Sequence, residues 1–323
     1  MDIPNIDSVR AAAGRIAGHV HVTPVLRSAF MDALSGAELF FKCENFQKTG
    51  SFKARGACNA VFGLPREQHS RGVATHSSGN HAQALSYAAG RLGIAATVVM
   101  PSDAPRSKQN AVAGYGGRIV PCEPLNRARV ETLERVIAET GSEFVHPYND
   151  SRVIAGQGTC ALELLEQSAP LDAVVAPIGG GGLMSGSCVT LSSLSPGTEI
   201  YAAEPEQADD AFQSLKAGHI VRMDRVRTVA DGLKTSLEPL TWHFISRCVT
   251  GILTVSEQEI IGAMYRILER MKIVVEPSAA TPLAAILGNP DRFAGKRIGV
   301  ILSGGNVDLD RLPALSPAHT SAG

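Results

Sequence analysis

Lys53 stands in the string FFKCENFQKTGSFKARGACNAV (40–61), where a short apolar strand passes through a polar turn into a helix predicted to open near Ser51. A lysine in such a first turn becomes a nucleophile or base when burial or a nearby cation lowers its pKa. Downstream, PIGGGGLMSG (177–186) sets Gly179, Gly180, Gly181 and Gly182 between an apolar strand and a helix. Consecutive glycines let several backbone N–H groups converge on one anion, and the helix start adds partial positive charge, so phosphate suits this loop. HSSGNHAQAL (76–85) brings Ser77, Ser78, Gly79, Asn80 and His81 to another helix start, where free N–H groups and hydroxyls suit a carboxylate. Ser303 closes a strand in GVILSGGNVD (299–308). In EPEQADD (204–210), Glu204 and Asp210, with a backbone carbonyl between them, offer oxygens to a hard cation, and Asp209 competes for the second position.

These strings sit at strand–helix junctions. GVATHSS (72–78), ATVVMP (96–101), RIVPC (118–122) and EFVHPY (143–148) read as strands, and NHAQALSYAAGRLG (80–93), SKQNAVAGYGG (107–117) and RARVETLERVIAETG (127–141) as helices. AVVAPIGGGG, EIYAAEP and KRIGVILSGGN repeat the rhythm in the second half. Strands alternating with helices predict an α/β protein with parallel sheets covered on both faces. No repeat of fixed period and no linker interrupts the pattern, and the tail SPAHTSAG (316–323) reads as disordered.

Composition narrows the partners. The chain has 323 residues, 44% hydrophobic and 19% charged, enough for about two domains with large cores. Lys and Arg number 30 against 31 Asp and Glu, a net charge of -1, so no nucleic acid and no membrane surface is expected as a partner. The segment MDIPNIDSVRAAAGRIAGHV lacks an unbroken apolar core and does not read as a signal peptide, and no apolar run suggests a membrane span. Six cysteines (Cys43, Cys58, Cys122, Cys160, Cys188, Cys248) without a CxxC pair read as reduced thiols of a cytoplasmic protein. The nine histidines lack zinc-ligand spacing, and Trp242 reads as core.

In order and spacing, GSFKARG, SSGNHAQAL, PIGGGGL and LSGGNVD resemble the motifs of fold-type II pyridoxal 5'-phosphate (PLP) enzymes, which are tryptophan synthase beta-like in fold. Within them the chain is similar to the serine/threonine dehydratases, serine racemases and 3-hydroxyaspartate dehydratases, from HVTPVLRS (21–28) to LSGGNVD (302–308). The resemblance implies two α/β domains, a large one of residues 1–71 and 148–323 and a small mobile one of residues 72–147, with the cofactor between them. It makes Lys53 the Schiff-base lysine, with Phe52 beside it, and gives the PLP phosphate to Gly179–Gly182 and the Leu183 backbone. Asn80 then faces the phenolic oxygen of PLP and Ser303 the pyridine nitrogen. Ser77, Ser78, Gly79, Asn80 and His81 receive the substrate α-carboxylate, and Ser78 matches the serine that exchanges the α-proton on the opposite face in racemases. Arg129 matches an arginine that approaches a second substrate carboxylate when the site closes. Glu204, the Ala208 carbonyl and Asp210 match a site for Mg²⁺, Ca²⁺ or Mn²⁺.

The implied activity is β-elimination of water from a small β-hydroxy amino acid, serine, threonine or 3-hydroxyaspartate, to a 2-oxo acid and ammonia, by a homodimer. A serine hydroxyl does not hold the ring nitrogen protonated as a carboxylate would, which favours elimination over transamination. The absence of a C-terminal regulatory domain points to a catabolic role. Racemisation of serine stays open beside elimination. A dinucleotide-binding oxidoreductase, from Gly180-x-Gly182 with Glu199 or Glu204 following, is the reading from another class, and it leaves Lys53 and SSGN without a role. Tyr148 and Arg152 depart from the smaller polar residues of relatives, and Arg152 is an expected partner for a dicarboxylic substrate. Lys48, Thr49, Gln83 and Tyr115 match part of a nucleotide-effector site, while Arg27 and Ala29 depart from it.

Overall fold

The computed structural model describes residues 2–223 and 226–312, so the expected disordered tail lies outside the described residues. Ten strands form two sheets: β1 (Val25–Leu26), β2 (Glu38–Cys43), β3 (Val73–His76), β4 (Ala96–Pro101), β5 (Arg118–Cys122), β6 (Glu143–Phe144), β7 (Ala173–Pro177), β8 (Glu199–Pro205), β9 (Gly251–Val255) and β10 (Arg297–Leu302). The larger sheet runs β1-β2-β10-β7-β8-β9 and the smaller β5-β4-β3-β6. Every pairing is parallel except the antiparallel β1 on β2.

The larger sheet is buried on both faces, which explains its nearly unbroken apolar strands. Leu39, Phe41 and Cys43 of β2 join Val300 and Leu302 of β10 in the cluster under one face. Phe40 and Ile301 point the other way, into a cluster with Val174, Leu183 and Ile154. In the smaller sheet Val73 and Ala74 likewise part to opposite faces.

One expected strand is shorter than its sequence suggests. EFVHPY gives strand only at Glu143–Phe144. Val145 still donates to Ala74 O at 3.0 Å. Beyond it, His146 Nδ1 accepts the N–H groups of Tyr148 (3.3 Å) and Asn149 (2.9 Å), so the imidazole replaces the ladder and turns the chain. Likewise, the helix expected over 107–117 spans Arg106–Gly114.

Three helices meet where side chains are absent. A Cβ on Gly156, in the helix Ser151–Gln167, would lie 2.6 Å from the Gly56 Cα in the helix Lys53–Phe62. On the same central helix, a Cβ on Gly158 would lie 2.9 Å from Gly186 O in the helix Gly182–Leu194. These contacts set the starts of the first and third helices, Lys53 and the glycine loop, against one shared support.

A buried ion network fixes the same region. Arg55 donates Nε to Glu44 Oε2 (2.7 Å), Nη2 to Glu44 Oε1 (2.8 Å) and Nη1 to Glu163 Oε1 (2.6 Å). Lys42 Nζ meets Glu163 Oε2 at 2.6 Å, so two cations balance two carboxylates. Burial alone would raise the Glu44 carboxyl, and the Arg55 guanidinium holds it below its usual range.

Candidate active site between the two sheets

The turn before Lys53 is stitched to the turn after β10. Phe52 donates its N–H to Ser303 O at 3.0 Å, Gly305 N–H to Gly50 O at 2.9 Å, and Ser51 forms a bridge with Gly304. The buried Ser303 and the helix carrying Lys53 are therefore one unit. Lys53 Nζ donates to Pro147 O at 2.8 Å and lies 5.1 Å from the Phe52 ring centroid. Burial brings its ammonium down to about 8, a fall that the nearby Glu276 carboxylate limits. Such an amine is part neutral near neutral pH, as covalent chemistry requires.

Tyr148, the residue after Pro147, leads on to the glycine loop. Gly181 has φ +86°, a left-handed conformation that an L side chain resists, and caps the helix Gly182–Leu194. Gly180 N–H donates to Thr235 Oγ1 at 2.9 Å, and the Leu183 side chain is buried below. Tyr148 lies over the loop: a Cβ on Gly180 would come within 2.6 Å of its ring. Gly180→Ala is therefore expected to cost about 1–3 kcal/mol of stability through overpacking. The penalty should largely vanish in a Tyr148→Ala background, read as a thermal-unfolding double-mutant cycle. Equal penalties in both backgrounds would refute the contact.

The Ser77–His81 segment starts the helix Asn80–Leu92 at the C-terminal end of β3, with Gly79 N–H donating to Ser77 Oγ at 3.3 Å. Ser78 is half-buried. His81 Nε2 contacts Val145 O at 3.2 Å, while its buried Nδ1 has no partner among the described residues. Asn80 Nδ2 donates to Glu276 Oε1 and Oε2 at 3.0 and 3.1 Å. Glu276, Asn306, Thr235 and the Pro147 carbonyl enter the site without having been expected. Glu276 precedes Pro277 at a helix start and reads in sequence as an ordinary helix-opening acid.

Arg129, on the helix Asn126–Thr140, is half-buried, and its positive charge acts on His76 and Tyr148. Arg152 does not serve as expected. Asp150 takes its Nε and Nη2 at 3.1 and 2.6 Å and Glu143 takes Nη1 at 2.9 Å, so its donors toward a carboxylate are engaged within the fold. Trp242 is half-buried, packed against the core of the larger sheet.

At the end of β8, Glu204 is buried and accepts the N–H groups of Ala211 (3.1 Å) and Phe212 (2.9 Å). Burial pushes its carboxyl up to about 9, with Asp210 adding to the rise. Asp210 Oδ2 is buried without a partner among the described residues, whereas Asp209 Oδ2 accepts from Gln213 at 2.8 Å. Of the two aspartates, Asp210 is thus the one with a buried, unpartnered carboxylate oxygen near Glu204. Among the described residues, no group of three or more His, Cys, Asp or Glu side chains is placed to hold a metal.

A family model described as pyridoxal-phosphate dependent enzyme matches residues 16–304. The chain belongs to this family. Among its relatives is the beta-hydroxyaspartate dehydratase of Paracoccus denitrificans, 59% identical over 97% of this chain and 99% of that protein. The L-threo-3-hydroxyaspartate ammonia-lyase of Saccharomyces cerevisiae is 46% identical over 98% and 97%. Maize serine racemase is a similar solved structure, with a TM-score of 0.94, 44% identity and 99% of each chain covered. The family cofactor is PLP, and the residues present fit it. A buried lysine with a lowered pKa stands at Pro147, and beside it runs a loop of four glycines whose Cβ positions are already taken by Leu233, Tyr148 and Leu237, so the loop presents backbone rather than side chains. Family membership removes the dinucleotide reading of Gly180-x-Gly182.

Proposed function

We propose that this enzyme is a dehydratase that converts 3-hydroxyaspartate, a small β-hydroxy amino acid with a second carboxylate, to a 2-oxo acid and ammonia. The observation that carries the reading is the half-buried Arg129 on the helix Asn126–Thr140, which packs on β3, the strand that ends in the Ser77–His81 loop. Relatives that act on hydroxyaspartates support it.

PLP attached at Lys53 withdraws electrons from the substrate Cα and makes its proton acidic. Backbone N–H groups of Gly179, Gly181, Gly182 and Leu183 would hold the phosphate, with the Gly180 N–H shared with Thr235 Oγ1, while Ser303 would face the ring nitrogen and Asn80 the phenolic oxygen. The N–H groups of Ser78, Asn80 and His81 would bind the α-carboxylate, with Ser77 and Gly79 shaping the turn, and Arg129 the distal one. Lys53 Nζ would take the substrate α-proton while the β-hydroxyl departs as water. A water returned in hydrolysis of the C–N bond gives the 2-oxo acid and ammonia, so the balance closes. Keto-acid release from L-serine, L-threonine and both diastereomers of 3-hydroxyaspartate tests the proposal: kcat/KM should be highest for a hydroxyaspartate. Accumulation of D-serine from L-serine with no keto acid from any of them would assign racemisation, the second reading, which Ser78 on the carboxylate loop favours.

Residues 72–147 close over the substrate as a small domain. Lys108 Nζ, on the smaller-sheet side, reaches Asp231 Oδ2 at 3.3 Å, a contact that supports closure. A divalent cation binds Glu204, the Ala208 carbonyl and Asp210, where Asp210 Oδ2 is buried without a partner among the described residues. At a hundred times its Kd, Mg²⁺ is expected to stabilise the fold by about 2.7 kcal/mol, and Glu204→Gln should remove that increment in thermal unfolding. An unchanged increment would place the cation elsewhere. Unpaired cysteines support a cytoplasmic location, and the exposed Phe30 and Leu34 on one helix support a homodimer.

A further inference from the structure

Asn80 belongs to a side-chain chain whose ends are both fixed. At one end Thr49, in a left-handed conformation (φ 59°), turns its carbonyl to accept Asn306 Nδ2 at 2.7 Å. A carbonyl only accepts, so this contact makes the Asn306 nitrogen the atom facing inward. The same Nδ2 donates to Asn80 Oδ1 at 2.9 Å. At the other end Asn80 Nδ2 is shared between the two oxygens of Glu276 at 3.0 and 3.1 Å.

Glu276 is itself held. Its N–H donates to Gly304 O at 3.0 Å, and a Cβ on Gly304 would lie 3.1 Å from its Oε1. The side chain is buried, and burial pushes its carboxyl up to about 7, while hydrogen bonds from Asn80 and the Asn306 backbone oppose the rise.

We propose that Glu276 and Asn306 are positioning residues that lock the Asn80 amide in one of its two flips, leaving one Nδ2 hydrogen to donate into the cofactor cleft. A carboxylate and a carbonyl bracket the chain, so rotating the Asn80 amide by half a turn would set N–H against the Asn306 N–H and oxygen against the Glu276 oxygens. Both contacts would change from attraction to repulsion. Asn80 Oδ1 is consumed by Asn306 and one Nδ2 hydrogen by Glu276. The second hydrogen is what remains for an anionic oxygen of the cofactor. The inference rests on the proposed placement of Asn80 against PLP.

The test is the visible absorption band of the substrate-free holoenzyme and its pH midpoint, measured for Asn80→Leu, Glu276→Leu, Asn306→Leu and the Asn80→Leu/Glu276→Leu double variant. Losing one charge-assisted donor is expected to move the midpoint about tenfold in proton concentration for Asn80→Leu, and in the same direction for Glu276→Leu and Asn306→Leu. Since the outer residues act through Asn80, the double variant should stay within about twofold of Asn80→Leu alone. Glu276→Gln keeps an acceptor for Asn80 while removing the charge felt by Lys53, so its shift measures the charge effect alone, and Glu276→Leu should depart from it in the direction of Asn80→Leu. If Glu276→Leu does not fold, the exposed Asn306 supplies the deciding variant. Shifts that add in the double variant, or a lowered melting temperature with an unmoved band, overturn the proposal. An unmoved band in Asn80→Leu would overturn the placement of Asn80, and this inference with it.

Discussion

Lys53→Ala is expected to lower keto-acid release by about 10³–10⁵-fold while leaving the fold intact, because the proposed mechanism has this one residue both hold the cofactor and move the α-proton. Among the described residues its side chain makes one hydrogen bond, to Pro147 O, so little stability goes with it. The absorbance of the covalently held cofactor should disappear with the activity. A pH dependence separates this lysine from an ordinary one. Burial sets its ammonium near about 8, below a solvated lysine, so the neutral amine grows as pH rises to that value. Covalent uptake of PLP by cofactor-free protein should therefore accelerate from pH 6 to about 8 and then level. Acceleration continuing unchanged toward pH 10.5 would show that Lys53 is not desolvated in the free protein.

Arg55→Met should be the most damaging single change to stability, by about 3–5 kcal/mol, the range for removing one partner from a buried charge pair. That is a large fraction of the roughly 5–15 kcal/mol that holds a domain together. The variant leaves Glu44 with no exposure and strips Glu163 of two donors. In the parent, Glu44 has its pKa depressed by Arg55, so its contribution is present above the unfolded value and lost as pH falls. In the variant the sign reverses, because an unpaired buried carboxyl takes a proton readily. The loss measured by urea unfolding should be largest near pH 8 and shrink toward pH 5. A pH-independent loss would mean that packing of the guanidinium, rather than its charge, supports the helix.

How much of this was legible in the sequence follows from how local each signal is. Lys53, Gly179–Gly182, Ser77–His81 and Ser303 each sit in a short string at a strand end, where turn chemistry and helix starts are written in adjacent residues. Glu276 was not legible because its partner Asn80 is 196 residues away, and nothing in VVEPSAA tells a buried acid from an exposed cap. Arg152 misled for the opposite reason. Its saturating partners, Asp150 and Glu143, are nearby in sequence, but the geometry that spends all three on one another appears only when the helix Ser151–Gln167 meets β6. The early end of β6 has the same origin, an imidazole competing with the ladder for backbone N–H groups. Parallel sheets were readable because burial on both faces leaves unbroken apolar runs.

The glycine crossings at Gly56–Gly156 and Gly158–Gly186 set a division of labour for any redesign of this enzyme. Lys53, proposed to hold the cofactor, and the glycine loop, proposed to hold its phosphate, both ride on the central helix, at separations that forbid even a methyl group. Retention of the cofactor is thus locked to a frame with almost no mutational slack. The carboxylate loop and Arg129 hang from the other sheet, outside that frame. A new substrate range therefore has to be sought in the four-stranded half, where side chains can be exchanged without unseating the chemistry.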